Sequence, residues 1–246
     1  MSLIIGSGIT IGGGITITPV TLTPSYITTN LQLHLDAGNA SSYPGSGSTW
    51  TDLIGSKTFT LYGTPTYNSN NGGYLNFIPA SAQYAQSATS LSSMATFSVE
   101  AWHYYTGTNS GSSPCIVTEL YPGSTARINF NLGNGSDSSP NLQMGFFDGG
   151  WRQTTTGYTL TANNWYHLMG TYDGATIKMY VNNILVRSTS YSSTPMSSAG
   201  GIRLMRRWDL GHYWGGRLSV VRIYNTALNA TEIDQNFNAE RSRFGV

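Results

Sequence analysis

Short segments in which apolar and polar residues alternate, separated by turn-forming residues, run through most of this chain and limit its possible folds. Residues 31–35 (LQLHL) and 96–102 (TFSVEAW) alternate with a period of two, the pattern of a strand that buries one face. Residues 165–172 (WYHLMGTY) are apolar on both faces, which predicts a central strand between two layers. Because no helical segments alternate with these strands, the pattern predicts an antiparallel two-sheet sandwich.

A tight hairpin and two later strands continue the series. Asn182 and Asn183 tolerate positive φ angles, so they predict a type I′ turn between strands 177–181 and 184–186. Two further strands are predicted closer to the C-terminus, at residues 202–205 and 218–224.

One short helix is predicted at the C-terminal end of the chain. Asn229 can cap its first turn, and Glu232 three residues later completes a capping box. Ile233 and Phe237 lie four residues apart on one face, which we expect to pack against the sandwich. Two basic residues suit the C-terminal end of the helix dipole, Arg241 and Arg243.

The first 28 residues differ from the rest and predict an N-terminal arm (residues 1–28) attached to a single domain (residues 29–246). No charged residue occurs from residue 1 to residue 32, and two isoleucine–threonine segments flank three glycines. The alternating isoleucines of the arm are Ile9, Ile11, Ile15 and Ile17. Since an isolated two-stranded hairpin is marginal in water, the arm needs a partner. That partner is either the domain itself or a neighbouring subunit, whose sheet the arm would extend in a homo-oligomer such as a trimer.

The chain is polar without being charged, and this excludes several classes of function. Charged residues make up 9% of the sequence, against about 25% in a typical soluble domain. The twelve basic and eleven acidic residues form no basic stripe, so neither nucleic acid nor a membrane surface is a predicted partner. No run of eighteen apolar residues occurs, so membrane insertion is not predicted. Cys115 is the single cysteine, which excludes an internal disulfide.

The N-terminus and the composition suggest different environments. A secretory signal peptide is not expected, because the first residues carry no basic group and Gly6 and Gly8 interrupt their apolar stretch. The neutral polar composition is nevertheless typical of extracellular β proteins that face sugars. A virion protein satisfies both observations, since it folds in the host cytoplasm and is later exposed on the particle surface. The sequence therefore predicts a virion location.

Several motifs between residues 31 and 244 match a known domain family in their order. They are LHLDAGN (33–39), WTDL (50–53), FSVEAW (97–102), NWYH (164–167), TYDG (171–174), YVN (180–182) and VRIYN (221–225). Together they resemble the laminin-G-like jelly rolls of the concanavalin A-like lectin/glucanase superfamily, and the first motif and the arm resemble parts of tailed-phage structural proteins. The resemblance implies an all-β, antiparallel two-sheet jelly-roll sandwich with one short C-terminal helix and an N-terminal β arm. It does not by itself imply an activity.

Glycoside hydrolysis is not predicted from the arrangement of acidic residues. Such hydrolysis needs two carboxylates roughly 5–10 Å apart, and no predicted strand carries two acidic residues on one face. Glu100 and Glu119 each stand alone in their segments. We interpret Glu100 as a structural carboxylate that bonds to the backbone or to a tyrosine. His34 and His167 lie among apolar residues and are interpreted as core histidines.

Calcium is the one cofactor for which the resemblance suggests a site, since many laminin-G-like domains hold this ion at a sandwich edge. Calcium binds six to eight oxygen ligands. Asp36, Asn39 and Asp52 flank one loop and could supply such oxygens. The alternative is that the aspartates cap turns through hydrogen bonds to the backbone. The loop after residue 77 carries no carboxylate, which speaks against calcium.

Two segments combine aromatic and polar residues in the way that sugar binding requires. The first joins two predicted strands and contains Arg206, Trp208, Asp209, His212 and Tyr213. The second contains two candidate residues, Trp151 and Arg152, and follows an aspartate. The alternative for both segments is that their aromatic side chains only support the fold.

From these features we expect a non-enzymatic virion structural protein, either a capsid decoration protein or a small accessory fibre. Its lectin-like domain would bind glycans of the host surface, and its arm would bind other virion proteins of the capsid or tail. A free carbohydrate-binding or adhesion module is the alternative, and a glycoside hydrolase is a third hypothesis.

Overall fold

The computed structural model describes residues 10–11, 15–16, 25–55, 57–111, 114–121, 125–132, 141–196, 200–208 and 211–246. Three residues of the sequence predictions lie outside this described part, namely Ile9, Ile17 and Asp209. Among the described residues, no helix is long and apolar enough to span a bilayer.

Eighteen strands and one α-helix make up the regular structure of the described chain. In chain order the strands are β1 (Thr10–Ile11), β2 (Ile15–Thr16), β3 (Leu31–Asp36), β4 (Thr49–Thr51), β5 (Thr58–Tyr62), β6 (Thr66–Asn68), β7 (Tyr74–Phe77), β8 (Tyr84–Ser87), β9 (Phe97–Ser110), β10 (Cys115–Tyr121), β11 (Thr125–Leu132), β12 (Asn141–Phe147), β13 (Trp151–Thr159), β14 (Asn164–Tyr172), β15 (Thr176–Val181), β16 (Ile184–Ser190), β17 (Ile202–Leu204) and β18 (Tyr213–Tyr224). The helix is α1 (Ala230–Phe244), and two short 3₁₀ turns lie at Asn70–Gly72 and Pro79–Ser81.

The strands form two large antiparallel sheets, as the alternating pattern predicts. Sheet I has the order β13-β12-β11-β10-β17-β8-β5-β4. Sheet II has the order β16-β15-β14-β9-β18-β7-β6, and β3 pairs with β18 as well. The arrangement confirms the predicted all-β jelly-roll sandwich with one C-terminal helix.

The arm contains the predicted pair of short strands. β1 and β2 pair with each other, with Ile11 opposite Ile15 and Thr10 opposite Thr16. The role of this hairpin in assembly stays a prediction.

The core lies between the two sheets and is built from inward-facing aromatic and aliphatic side chains. Phe97, Val99 and Ala101 of β9 point into it from one face, as the sequence pattern predicts. Phe146 of sheet I meets Phe97 of sheet II with ring centroids 6.3 Å apart. Gly170 of β14 lies close against sheet I, because a Cβ atom there would collide with the side chain of Met144.

Helix α1 covers the outer face of sheet II. Its N-terminus carries the predicted capping box between Asn229 and Glu232. Phe237 and Phe244 stack on Trp102 of β9, at ring-centroid distances of 6.0 and 4.3 Å. This packing buries both faces of the central strands of sheet II, which explains why β14 is apolar along almost its whole length.

The predicted turn beside the helix is also confirmed. Asn182 and Asn183 have φ angles of 48° and 67°, as a type I′ turn requires. Asn183 Nδ2 also donates to Asp234 Oδ1 of α1 at 2.7 Å, which ties the hairpin to the helix. Cys115 is buried and is not part of a disulfide.

The segment that follows the arm is bound to the domain at the helix-covered face. The backbone N–H of Ile27 donates to Asn236 Oδ1 at 2.7 Å, and Gln235 Nε2 donates to the carbonyl of Ser25 at 2.7 Å. The ring of Tyr26 lies 4.0 Å from the guanidinium carbon of Arg222. Contacts with the domain therefore include residues 25–27, which the sequence prediction assigned to the arm.

Candidate functional site

The outer face of sheet I differs from that of sheet II, because partly exposed polar and aromatic side chains line it. In β5, Phe59 and Leu61 point into the core, whereas Thr58, Thr60 and Tyr62 are exposed. The strand registers place a row of exposed or partly exposed polar residues side by side across four strands of this face, namely Thr49, Thr60, Gln86 and Arg203. This row forms the base of the candidate site.

A group of stacked rings lies beside the row at one side, and we call it the tyrosine cluster (Tyr62, Tyr84, Tyr213 and Arg206). Tyr62 and Tyr84 are opposite each other in β5 and β8, with nearly parallel rings 4.5 Å apart. The guanidinium carbon of Arg206 lies 4.5 Å from the ring centroid of Tyr84 and 5.3 Å from that of Tyr213. Tyr62 remains 42% exposed, so part of the cluster faces solvent.

The segment between β17 and β18 is a hairpin that carries candidate residues onto this face. Arg206 pairs with Tyr213 in a β-bridge, and the N–H of Arg207 donates to the carbonyl of His212 at 3.0 Å. Met205, just before the bridge, has a φ of 63°, which is uncommon for a bulky residue. Its N–H and its carbonyl are both bonded to neighbouring backbone, and these bonds hold it in that conformation.

A second aromatic group lies at the other side of the row, and we call it the tryptophan cluster (Phe147, Trp151, Trp208 and Arg207). The rings of Trp151 and Trp208 lie 4.9 Å apart at an interplanar angle of 34°. Phe147, opposite Trp151 in the sheet, packs edge-on against it at 5.4 Å. Arg207 stacks on Trp208 at 4.6 Å. Both indoles are only partly buried, so ring surface remains for a ligand.

Arg203 connects the two clusters. Its Nε donates to Gln86 Oε1 at 2.7 Å, on the strand that carries Tyr84. Its Nη1 donates to the carbonyl of Trp208. The outer face of sheet I therefore presents a continuous strip of rings, amides and guanidinium groups.

The structure brings together the two segments that the sequence suggested as separate sugar sites. Trp151 lies at the start of β13, and it contacts Trp208 directly. Arg152 is turned to Asp148, with Nε 2.9 Å from Oδ2. The hydrogen bond from Arg152 lowers the pKa of Asp148 below its usual value. His212 lies against Gly111, at the tip of the hairpin.

Sequence reasoning missed several residues of the strip. The alternating pattern of residues 58–62 could have predicted that Tyr62 lies on the outer face of its strand. The sequence around it, however, does not indicate which strand pairs with it. Among the missed residues are Tyr62, Tyr84, Gln86 and Arg203. They meet through the pairing of β5, β8 and β17, which are far apart in sequence.

The three residues considered for calcium have their side-chain oxygens bound to N–H groups. Asp52 Oδ1 accepts from the backbone N–H of His34 and of Ile54, and Oδ2 accepts from Gly55. Asn39 Oδ1 accepts from a nearby backbone N–H at 2.9 Å. These bonds agree with the alternative of turn caps.

Asp36, the third of these residues, forms an ion pair. Its Oδ1 lies 2.8 Å from Nη2 of Arg243, and it also accepts from the N–H of Gly38. Within the described residues, no group of three or more His, Cys, Asp or Glu side chains could hold a metal ion. Calcium therefore has no support from the contacts of this loop.

A buried carboxylate network lies under α1, on the side of the sandwich away from the strip. Glu100 is fully buried and accepts from His167 Nε2 at 3.0 Å, Arg222 Nη1 at 3.0 Å and Asn236 Nδ2 at 2.7 Å. Arg222 also bonds both oxygens of Glu240 of α1, at 2.6 and 3.1 Å. The partners of Glu100 are thus mainly His167, Arg222 and Asn236, whereas the prediction named the backbone or a tyrosine; the hydroxyl of Tyr224 lies 3.5 Å from its Oε2.

Burial alone would raise the pKa of Glu100, but the positive Arg222 and the hydrogen bonds from His167 and Asn236 lower it to about 2. The pKa of Arg222 is raised despite its burial, because Glu240 and Glu100 both face it. Tyr224 is buried beside Glu100, and both effects raise its pKa. Glu100 and Arg222 therefore both stay charged at neutral pH.

Comparisons with known proteins agree on one fold. The sequence model of the Concanavalin A-like lectin/glucanases superfamily matches residues 79–234. Domain 4 of AbnA, a GH43 extracellular arabinanase from Geobacillus stearothermophilus, solved in complex with arabinotriose, is similar in structure, with a TM-score of 0.67 and 17% identity. That alignment covers 84% of this chain and 98% of that domain.

Two larger proteins contain the same fold as part of their chains. The binding domain of Paraclostridial Mosquitocidal Protein 1 aligns with a TM-score of 0.66 and 16% identity, over 85% of this chain and 52% of its own. The sialidase of Trypanosoma rangeli aligns with a TM-score of 0.62 and 12% identity, over 89% of this chain and 34% of its own. This chain thus spans about half and one third of those two proteins. No curated protein sequence matches it.

Proposed function

The chain belongs to the concanavalin A-like lectin/glucanase superfamily, and we propose that it is a non-catalytic module that binds carbohydrate on the outer face of sheet I. The observation that carries the proposal is the contact between Trp151 and Trp208. Two partly exposed indoles from distant segments lie side by side next to amide and guanidinium donors, although neither ring is needed to fill the core between the sheets.

The chemistry of the strip suits a sugar. A sugar ring has apolar C–H faces, which pack against aromatic rings, and hydroxyl groups at its rim, which need hydrogen-bond partners. The tryptophan cluster offers the ring surface. Gln86 and Arg203 offer an amide and a guanidinium group within the same strip. A face of this kind fixes the orientation of a ligand through a few polar groups and gains affinity from apolar contact.

The similarity to the arabinanase domain supports the same conclusion. That domain was solved with arabinotriose and has nearly the same extent as the matched part of this chain. A module of this size can bind a sugar as a unit separate from a catalytic domain. The fold alone does not decide the function, so the proposal depends on the strip.

The described carboxylates argue against hydrolysis. Glu100 is fully buried beneath α1, where no substrate can reach it. Glu119 is also fully buried, and its Oε1 accepts from the N–H of Leu91 at 2.9 Å. Asp148 is bound to Arg152. None of these groups forms the solvent-accessible pair of carboxylates that glycosidases use.

Trp208→Ala and Trp151→Ala are expected to weaken glycan binding strongly. Each substitution removes half of the stacked pair, and loss of such a central aromatic contact costs about 2 kcal/mol or more, which is roughly 30-fold in affinity. Calorimetric titration with oligosaccharides selected on a glycan array measures the change. Because both rings are partly exposed, the melting temperature should fall by only a few degrees.

Tyr158→Ala serves as the matched control, since Tyr158 is an exposed aromatic residue of the same strand β13 outside both clusters. It should leave glycan affinity unchanged. The bound oligosaccharides should also show no release of reducing ends after prolonged incubation. Unchanged affinity in both tryptophan variants would disprove the location of the site, and sugar release would disprove its non-catalytic character.

We further propose that the module is a virion structural component, attached through its N-terminal arm. Three observations support this proposal: the arm lacks charge, its strands β1 and β2 pair with each other, and the sequence resembles tailed-phage structural proteins. A short hairpin of this kind exposes backbone N–H and C=O groups to which a neighbouring chain can add a strand.

Deletion of residues 1–24 is expected to abolish oligomer formation and particle attachment while the domain still folds. Residues 25–27 remain bound to α1 in this variant, so its melting temperature should stay close to that of the full chain. Deletion of residues 1–28 is the comparison, and it should lower the melting temperature, since it removes Tyr26 from Arg222 and the bond of Ile27 to the helix. Light scattering and calorimetry measure both effects. An oligomer that survives the shorter deletion would contradict the assembly role.

A further inference from the structure

Guanidinium groups are concentrated on the outer face of sheet I. Arg203 bonds to two neutral acceptors, the side chain of Gln86 and the carbonyl of Trp208. Arg207 stacks on Trp208, and both arginines are partly exposed. The whole chain is nearly neutral, with twelve basic and eleven acidic residues.

Arg206 is the least usual member of this group. It is 5% exposed, and its guanidinium lies over the rings of Tyr84 and Tyr213. Its Nε is buried and has no hydrogen-bond partner among the described residues. Contact with an aromatic face offsets part of the cost of burying a positive charge, but it leaves the Nε–H donor unsatisfied.

Two other arginines of the described residues differ from Arg206 because they bind carboxylates, although Nε of Arg222 also lacks a hydrogen-bond partner. Arg222 is fully buried and binds the carboxylates of Glu100 and Glu240. Arg243 binds the carboxylate of Asp36. A buried guanidinium is normally stabilised by an anion of this kind. Arg206 holds a positive charge between aromatic rings with no such carboxylate from the described residues.

We propose that the ligand of the strip is an acidic oligosaccharide, whose carboxylate or sulfate group binds at Arg206 and its neighbours Arg203 and Arg207. This inference rests on the proposed carbohydrate-binding function and names the ligand class for the same site. The aromatic rings pack against the sugar, and the guanidinium groups supply the charge-assisted hydrogen bonds that favour an anionic group over a hydroxyl.

The test compares sugars that differ only in charge. The probes are oligogalacturonate as the free acid and as its full methyl ester, and one sulfated oligosaccharide with its desulfated form. We expect the acidic member of at least one pair to bind about tenfold more tightly, and its advantage to shrink when salt rises from about 0.05 to 0.5 M, because ions screen exposed charges. Equal or tighter binding of both neutral members would overturn the inference while leaving carbohydrate binding intact.

Arg206→Gln is expected to remove the preference for the acidic sugar. Arg217→Gln is the matched control, since Arg217 also lies between two tyrosines, Tyr74 and Tyr104, but on sheet II. The Arg217→Gln variant should keep the preference for the acidic sugar. If Arg206→Gln does not fold, the partly exposed Arg207→Gln replaces it and should reduce the preference. A full preference in every folded variant would overturn the assignment, and no binding of any glycan by the parent would overturn the proposed function as well.

Discussion

Glu100→Gln is expected to lower the free energy of unfolding by about 3–5 kcal/mol, the usual cost of removing one partner from a buried ion pair. The side chains of Glu100 and Arg222 are both fully buried, with 3.0 Å between Oε1 and Nη1. For a chain of this length, such a loss lowers the melting temperature by roughly 6–20 °C. Thermal denaturation at neutral pH, followed by calorimetry, measures it.

The geometry explains why a residue of the same shape cannot replace the carboxylate. The amide of glutamine puts N–H donors in place of one oxygen, and Asn236 Nδ2 already points at Glu100 Oε2 from 2.7 Å. Asn236 cannot simply turn around, because its Oδ1 accepts the backbone N–H of Ile27. Arg222 would also lose one of its two negative partners, so a positive charge would remain less compensated in the interior.

Asp173→Asn provides the matched control. Asp173 forms an exposed pair with Lys178 at 3.9 Å, and the amide oxygen of asparagine can still cap the turn. Exposed pairs of this kind contribute about 0–1 kcal/mol. Glycan affinity should be unchanged in Glu100→Gln at a temperature where it is folded. A melting temperature within about 2 °C of the parent would disprove the structural importance of the network.

The sequence predicts those parts of the fold that depend on local patterns. The capping box at Asn229, the turn at Asn182 and Asn183, and the apolar strand β14 all form as expected, because each depends on residues close together in the chain. The buried network is different. Glu100 could be interpreted as structural, but its partners Arg222 and Asn236 lie far away in sequence, and no local signal connects them.

The candidate site shows the same division between local and long-range information. Trp208 and Trp151 are recognisable from their composition and neighbours, but their contact depends on the fold of the hairpin after β17. Tyr62 and Tyr84 form a stacked pair only because β5 and β8 are neighbours in sheet I. Neighbouring strands of sheet I are often not consecutive in the chain, and their register cannot be derived from one sequence. The sequence therefore indicates single residues of the strip, and only the structure shows that they lie side by side.

Acidification from pH 7 to pH 4.5 is expected to lower the melting temperature by roughly 10 °C or more. Burial lowers the pKa of His34 to about 3, and burial likewise lowers the pKa of His103 to about 3. In the unfolded chain both would titrate near 6.5. Below pH 6.5 both histidines are protonated in the unfolded state but stay neutral in the folded state. Each histidine therefore lowers the free energy of unfolding by about 1.4 kcal/mol for every pH unit below 6.5.

The surroundings of both imidazoles agree with the neutral form. Trp214 Nε1 donates to His103 Nε2 at 2.7 Å, and a donor of this kind requires an unprotonated ring nitrogen. His34 packs against the ring of Tyr26 at 4.6 Å, and neither of its nitrogens has a hydrogen-bond partner among the described residues. Arg222 also lowers the pKa of His34, which adds to the effect of burial.

Glu100 causes a second loss of stability on acidification, at lower pH than the histidines. Its pKa is lowered from 4.5 to about 2, so its stabilising effect is complete above pH 4.5 and is lost as the pH falls toward 2. Stability should therefore decline first through the histidines, between about pH 6.5 and 3, and then further through the carboxylate. The two windows can be separated by substitution, because different residues cause them.

His103→Gln is expected to flatten the upper part of this pH dependence. The amide oxygen of glutamine can still accept the N–H of Trp214, so the hydrogen bond remains while the titrating group is removed. Between pH 6.5 and 4.5 the slope of unfolding free energy against pH should fall by about 1.4 kcal/mol per pH unit, measured by denaturant titration in steps of half a unit. The Asp173→Asn variant should keep the parental slope, since its side chain is exposed. A parental slope in His103→Gln would show that His103 is not held neutral, and the acid sensitivity would then have to come from His34 alone.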